Sequence, residues 1–172
     1  VELMSVEHGE KIKLSLSNNL TEQFDYLIVC DGVFSKTKSI LLAKDASPKF
    51  YNSVALRGNI KNIDNNDISL YLGPNFHFVI YPVNQNKEFN FISIIRKKLN
   101  NNEIFNQNFF ENREFLKSLS NEIYQKTSLN LADKLENIKS FPVYVSKKFT
   151  DCNYKNIYFI GDALFSFPPS FA

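Results

Sequence analysis

The first part of the chain alternates apolar and polar positions and then changes to short, continuous apolar runs. Val1–Val6 and Lys11–Leu16 flank a glycine-containing turn and predict a β-hairpin. The next apolar run, Phe24–Cys30, is rich in strand-forming residues and ends at Asp31-Gly32. Successive apolar positions predict a strand that is buried on both faces, as in a parallel sheet. A short helix over Ser35–Leu42, capped by Ser35, is expected to follow.

Four apolar runs, separated by Asn-rich or Gly/Pro turns, predict strands in the middle of the chain. They are Ser53–Ile60, Ile68–Leu72, Phe76–Val83 and Phe89–Ile95. Their spacing, about ten residues per strand, is typical of an antiparallel meander. Along Phe76–Val83 one face is aromatic and the other is mixed, which indicates a sheet with one face in a core.

The pattern changes to helical spacing in the last third of the chain. Asn100–Asn108 is polar and predicts a loop, whereas residues 112–126 carry apolar side chains at the spacing of an amphipathic helix. A second short helix over Leu129–Leu135 and a strand over Phe141–Phe149 are expected next. Together these elements predict an α/β chain with α+β character in its middle, where a mostly antiparallel sheet is inserted.

The composition of the 172 residues is that of a globular chain, with 44% hydrophobic and 22% charged residues. A dispersed net charge of +2 gives no reason to expect nucleic acid as a partner. No apolar run approaches the roughly 18 residues of a membrane span, and no signal peptide opens the chain. We therefore expect a cytoplasmic protein without an integral membrane segment. Its two Cys and two His lack metal-ligand spacing, so no metal site is expected.

Two apolar strands end in related dipeptides. Phe24–Cys30 ends at Asp31-Gly32, and a second continuous apolar run, Asn156–Ile160, ends at Gly161-Asp162. Parallel strands deliver their carboxyl ends to the crevice where α/β sheets bind ligands. Glycine there allows close approach of the backbone to a ligand, and a carboxylate can accept a hydrogen bond from a sugar hydroxyl. The alternative for either dipeptide is an ordinary turn after a strand.

The longer strings around these dipeptides carry a family resemblance. Tyr26–Lys38 resembles the DG motif of the FAD-dependent aromatic hydroxylases, the salicylate-hydroxylase-like and ubiquinone-biosynthesis-hydroxylase-like flavoprotein monooxygenases, with Ser35 and Lys38 in the places of the motif's Ser and basic residue. Asn156–Ala163, followed by Pro168-Pro169, resembles the family's GD motif. Between the two motifs, two segments are similar to parts of the family's substrate domain. They are Ala55-Leu56-Arg57-Gly58 and Tyr81-Pro82-Val83.

The resemblance implies an oxidoreductase that binds FAD, takes electrons from NADH or NADPH and uses O₂. Such an enzyme hydroxylates an aromatic or quinone-like small molecule through a flavin C4a-hydroperoxide, and the cofactor carries the difficult chemistry. Carried over to this sequence, the cofactor-binding residues are Asp31, Gly32, Gly161, Asp162, Ala163 and Pro169. Pro169 would lie near the flavin ring, and no residue is assigned a certain catalytic role.

Three residues of the middle segment are candidates for substrate contact, each with a simpler alternative. Arg57 could pair with an anionic substrate or cofactor, or form a structural salt bridge. His77 could face a substrate cavity or solvent. Tyr81 could line a ring pocket or belong to the core. The substrate, the choice between NADH and NADPH and the oligomeric state stay open.

The sequence also departs from the family pattern. No G-x-G-x-x-G occurs, and the chain starts at Val1 without Met and stops at Ala172. We expect an internal fragment that binds FAD weakly or not at all and is inactive alone, with an unfilled sheet edge or an exposed apolar patch. Residues 1–48 and 149–172 would belong to an FAD-binding domain and 49–148 to a substrate domain. A reductase or epoxidase of the same fold and a non-enzymatic binding domain are the alternatives.

Overall fold

The chain divides into two compact units. A computed structural model of the protein describes residues 1–42, 47–61, 67–85, 88–131, 137–149 and 153–169. Val1–Lys49 and Tyr144–Ala172 form the first unit, and Phe50–Val143 forms the second. The assignment of 1–48 and 149–172 to an FAD-binding domain and of 49–148 to a substrate domain stays a prediction.

The first unit contains two small sheets. The antiparallel sheet consists of β1 (Leu3–Glu7), β2 (Ile12–Leu16) and β3 (Thr21–Phe24), in that order, which confirms the predicted hairpin. The other sheet pairs β4 (Leu27–Val29) with β10 (Ile157–Phe159) in parallel. The two apolar strands thus lie side by side in one sheet.

The expectation of one long strand buried on both faces is wrong. Phe24 ends β3, and a turn at Asp25-Tyr26 separates it from β4, because the polar Asp25 interrupts the apolar run. Side chains then alternate: Val29 is 3% exposed whereas its neighbour Ile28 is 61% exposed. The outward face of the pair carries four exposed apolar side chains. They are Tyr26, Ile28, Tyr158 and Ile160.

Two short helices follow the carboxyl ends of the parallel strands. α1 (Lys36–Leu42) follows β4, and Ser35 caps it by accepting a hydrogen bond from the Lys38 amide at 2.9 Å, as predicted. α5 (Gly161–Leu164) follows β10 directly. A small core holds the unit together, and Leu41 and Leu42 of α1 pack against it. Its buried members are Ile12, Val29, Ile157, Phe159 and Ala163.

The second unit is built on a five-stranded sheet in the order β6-β7-β8-β5-β9. Its strands are β5 (Lys49–Ile60), β6 (Ser69–Gly73), β7 (Phe76–Val83), β8 (Glu88–Arg96) and β9 (Ile138–Val145). β6, β7 and β8 form the predicted antiparallel meander. β5 does not join it in sequence order, because it pairs with β8 instead of β6. β9 begins three residues before the predicted strand and ends four residues before its predicted end.

Helices cover one face of this sheet. α4 (Arg113–Thr127) is the predicted amphipathic helix, and its buried side chains join the aromatic face of β7 in one core. The predicted loop over 100–108 is wrong, since α2 (Asn101–Ile104) and α3 (Gln107–Glu111) lie there. Asparagines cap all three helices, at Asn100, Asn106 and Asn112. The predicted helix over 129–135 falls mainly on residues 132–136, outside the described ranges.

Within the described ranges, no helix is both long enough and apolar enough to cross a membrane. The same residues include no group of three side chains suited to holding a metal ion.

Candidate functional sites

The parallel pairing of β4 and β10 brings the two dipeptides to one edge of the sheet. Val29 lies opposite Phe159, and the Ile160 amide donates to the Val29 carbonyl at 3.0 Å, which extends the pairing to the strand ends. Asp31-Gly32 and Gly161-Asp162 begin within two residues of that last pair. They therefore leave the sheet side by side, at the carboxyl edge where α/β sheets bind ligands.

Asp31 has a structural role at the start of α1. One of its carboxylate oxygens accepts a hydrogen bond from the Thr37 amide at 3.1 Å in the first turn of α1. Partial burial by itself would raise the pKa of the Asp31 carboxyl, but hydrogen bonds from Ser35 and Thr37 outweigh it and lower this pKa. Asp31 thus stays ionised and fixes the start of α1.

Lys38 is a buried basic residue near Asp31. Its side chain is 4% exposed, and burial lowers the pKa of its ammonium group although the nearby Asp31 carboxylate acts in the opposite direction. The Ser and the basic residue of the DG-like string therefore both contact or face Asp31, which explains their spacing after it.

Asp162 differs from Asp31 in having its carboxylate free. It is exposed, and among the described residues it has no hydrogen-bond or ion-pair partner. Gly161 before it has φ +57° and Gly32 has φ +82°, a conformation that favours glycine. A Cβ at either glycine would meet nothing within 4 Å, so the backbone of both turns is open to a ligand.

The segment after α5 carries the two remaining predicted cofactor residues. Ala163 is fully buried in the small core, backbone included, so its role as a cofactor-binding residue stays a prediction. Ser166 and Ser146 exchange hydrogen bonds of 3.0 and 3.1 Å and fix the path of the chain toward Pro169. Pro169 itself is exposed.

The three substrate candidates share one face of the five-stranded sheet. Phe78 and Phe91 point into the helix-covered core, whereas Arg57, His77 and Tyr81 occupy the alternate positions. We call this the distal face, meaning the face turned away from α4. Three rows of directly opposite residues cross this face from β7 through β8 to β5. They are His77–Ile94–Ala55, Val79–Ile92–Arg57 and Tyr81–Asn90–Asn59.

The three candidates differ in their surroundings on the distal face. His77 is half-buried, and burial lowers the pKa of its imidazole, so the ring is neutral at pH 7. Tyr81 is half-buried beside Asn90 and is not part of the aromatic core. Arg57 is exposed, and its guanidinium carbon lies 4.8 Å from the centroid of the Phe141 ring.

Two features of the distal face are not apparent from the sequence. The Asn90 amide donates to the Asn59 side-chain oxygen at 2.7 Å, across the pairing of β8 with β5. Phe141 meets Arg57 because β9 adds next to β5. Both depend on strand order, which local patterns do not specify. The alternation of Phe141 with buried neighbours on β9 is the only local signal.

Comparison with known proteins gives a match in fold. No family model matches the sequence, and no curated protein matches it. HpxO of Klebsiella pneumoniae, crystallised with FAD and uric acid, has TM-score 0.75 and 12% identity over 98% of this chain and 44% of that chain. 2,6-Dihydroxypyridine-3-hydroxylase of Arthrobacter nicotinovorans has TM-score 0.72 and 16% identity, over 95% of this chain and 48% of that chain. A salicylate hydroxylase in complex with its substrate has TM-score 0.70 and 16% identity, over 98% of this chain and 46% of that chain.

These matches define the class of fold. The chain spans less than half the length of the three proteins and has the fold of the corresponding part of each. The prediction of an α/β chain with an inserted antiparallel sheet is confirmed. Two of the three proteins are hydroxylases by name, and HpxO binds FAD in its crystal.

Proposed function

We propose that the protein is an FAD-dependent monooxygenase that takes electrons from NADH or NADPH and hydroxylates an aromatic or quinone-like small molecule with O₂. The observation that carries this proposal is the parallel β4–β10 pair, with Asp31-Gly32 and Gly161-Asp162 at one edge. The fold shared with two hydroxylases and with the FAD-binding HpxO supports it.

The residues at this edge fit part of an FAD site. Asp162 offers an exposed carboxylate that has no partner within the described ranges and can accept a hydrogen bond from a ribose hydroxyl. Charge-assisted hydrogen bonds of this kind are among the stronger ones. The open turns at Gly32 and Gly161 allow the cofactor to approach the backbone. Asp31 has a supporting part, because it holds the start of α1 beside the site. Bound FAD would supply the redox and oxygen chemistry.

The distal face would receive the substrate. Its centre is apolar at Val79, Ile92 and Ile94, and hydrogen-bonding groups surround this centre at His77, Tyr81 and the Asn59–Asn90 pair. Ligand sites commonly combine an apolar floor with a few polar groups that fix orientation. In this proposal the protein orients the ring and excludes water, and the neutral His77 is available as a hydrogen-bond partner at pH 7.

The proposal is tested by flavin binding and oxygen uptake. The polypeptide as its gene encodes it is purified, titrated with FAD and supplied with NADH or NADPH and a panel of phenols and hydroxyquinones. Oxygen consumption that depends on FAD and a ring substrate, with a hydroxylated product, supports the monooxygenase. Reduction of the substrate without oxygen uptake would show a reductase, and absence of flavin binding would remove both enzymes.

Asp162→Ala tests the proposed cofactor site. Loss of a charge-assisted hydrogen bond of roughly 1.5–3 kcal/mol lowers FAD affinity about ten- to a hundredfold. Folding is expected to survive because the carboxylate is exposed and has no partner among the described residues. Glu10→Ala, which removes an exposed carboxylate between β1 and β2, is the matched control. Equal FAD affinity in the two variants would refute the role of Asp162.

A further inference from the structure

The strands of the five-stranded sheet carry more basic than acidic residues. They contain four basic residues, at Lys49, Arg57, Arg96 and Lys139, and a single acidic one, Glu88. Glu88 is already occupied: Lys61 forms an ion pair with it at 3.2 Å and the Asn84 amide donates to it at 2.8 Å. The strands therefore carry an excess of positive charge that Glu88 does not neutralise.

Part of that charge lies on the distal face, at the junction of β5 and β9. Ser140 donates to the Phe110 carbonyl of α3 at 2.6 Å and so faces the helices, which turns its neighbours Lys139 and Phe141 to the distal face. The contact of Arg57 with the Phe141 ring agrees with this orientation. Lys139 and Arg57 thus lie on the same face.

Arg57 has no anionic partner within the described ranges. The ion pairs found there do not include it, and its guanidinium lies over the face of the Phe141 ring. The structural salt bridge that the sequence left open is therefore not observed among these residues. An arginine held against an aromatic ring keeps its flat edge of N–H donors available for a carboxylate or a similar anion.

The neighbours of Arg57 on the sheet are apolar. Ile92 is opposite Arg57 on β8, and Val79 is opposite Ile92 on β7. Directly opposite residues of antiparallel strands lie about 5 Å apart at Cβ. A six-membered ring can therefore lie over Val79 and Ile92 while a substituent reaches Arg57.

From this arrangement we infer that the distal face binds a planar ring that carries an anionic group, with Arg57 pairing the anion and Val79–Ile92 supporting the ring. The inference rests on the proposed function and narrows its substrate from any aromatic or quinone-like molecule to an anionic one. Phe141 is a positioning residue, since it holds the guanidinium without touching the ligand's charge.

The test compares benzoate with benzamide, which has nearly the same shape without the charge. Both are titrated into the protein and followed by NMR, with and without FAD. We expect benzoate to bind about tenfold more tightly than benzamide, and Arg57→Gln to abolish this preference, since one charge-assisted hydrogen bond corresponds to about that factor. Phe141→Leu should reduce the preference in part, because the guanidinium loses its support.

The matched control is Lys117→Gln, which removes an exposed positive charge from α4, away from the distal face. It should leave the preference unchanged. Equal binding of benzoate and benzamide, no binding of either, or the same loss in Lys117→Gln as in Arg57→Gln would overturn the inference. Flavin affinity, measured separately, tells this failure from that of the proposed function: FAD binding without anion preference overturns only the inference.

Discussion

Gly58 of β5 lies close to the residue that precedes β9, and its substitution tests the strand order on which the distal face depends. A Cβ added at Gly58 would lie 2.5 Å from the backbone oxygen of Asn137 and 3.1 Å from Cε1 of Phe91. The first distance is shorter than real Cβ contacts, and the atom it meets belongs to the backbone. Asn137 immediately precedes β9. Gly58→Ala must therefore push the start of β9 away from β5.

The size of the effect follows from this overlap. Overpacking of a well-filled site costs about 1–3 kcal/mol, and a clash with backbone belongs near the upper end of that range. A loss of about 2–3 kcal/mol in the free energy of unfolding lowers the Tm of a chain of this length by about 4–12 °C. Displacement of β9 also separates Phe141 from Arg57, so the preference for benzoate over benzamide should fall in the variant that remains folded at 20 °C.

Thermal unfolding followed by far-ultraviolet circular dichroism measures this change. The matched control is Gly73→Ala, at the end of β6, where an added Cβ would meet its nearest atom at 3.7 Å. That substitution should leave the Tm unchanged or raise it slightly, because alanine restricts the unfolded chain. A Tm for Gly58→Ala equal to that of Gly73→Ala would refute the close approach of Asn137 to β5.

Two further predictions concern stability. Asp31→Ala removes the acceptor for the Thr37 amide and should cost about 1 kcal/mol at pH 7. Because the folded state lowers the pKa of Asp31, this contribution is present above the unfolded pKa of about 3.9 and is lost as the pH falls through the lower folded pKa, so the stabilities of the two proteins in urea titrations should converge as the pH falls below about 3.9. Ser120→Ala removes a buried hydroxyl in the middle of α4 that has no hydrogen-bond partner among the described residues. The substitution should raise the free energy of unfolding by about 1 kcal/mol, and an unchanged or lower value would contradict this.

The sequence predicts correctly those strands and helices whose position depends on residues close together in the chain. β7 alternates between buried and half-buried positions from Phe76 to Tyr81, and its bounds match the prediction at both ends. α4 has an amphipathic pattern and an Asn112 cap, so its position could be predicted to within a residue or two. The parallel partnership of β4 and β10 could be predicted because both strands are apolar and both end in a glycine–aspartate pair.

The errors have two physical causes. Asparagine caps helices as readily as it opens loops, so the asparagine-rich pattern from Asn100 predicts a loop although Asn100 and Asn106 cap α2 and α3. Strand order is the other cause, since β5 pairs with β8 over a long separation in sequence and no nearby residue specifies that choice. The candidate site on the distal face depends on this order, so only its single residues, and not the Arg57–Phe141 contact, were accessible from the sequence.

The two dipeptides at the sheet edge look alike in sequence but are used differently by the fold. Asp31 accepts hydrogen bonds from Ser35 and Thr37, whereas the carboxylate of Asp162, at the same edge, has no partner among the described residues. A carboxylate that accepts hydrogen bonds at a helix start contributes to stability, whereas an exposed carboxylate without such bonds contributes little to stability and is available to a ligand. Alanine at Asp31 should therefore change the melt more than the FAD affinity, and alanine at Asp162 should do the reverse. If both substitutions changed the same quantity, the distinction drawn from these hydrogen bonds would be wrong.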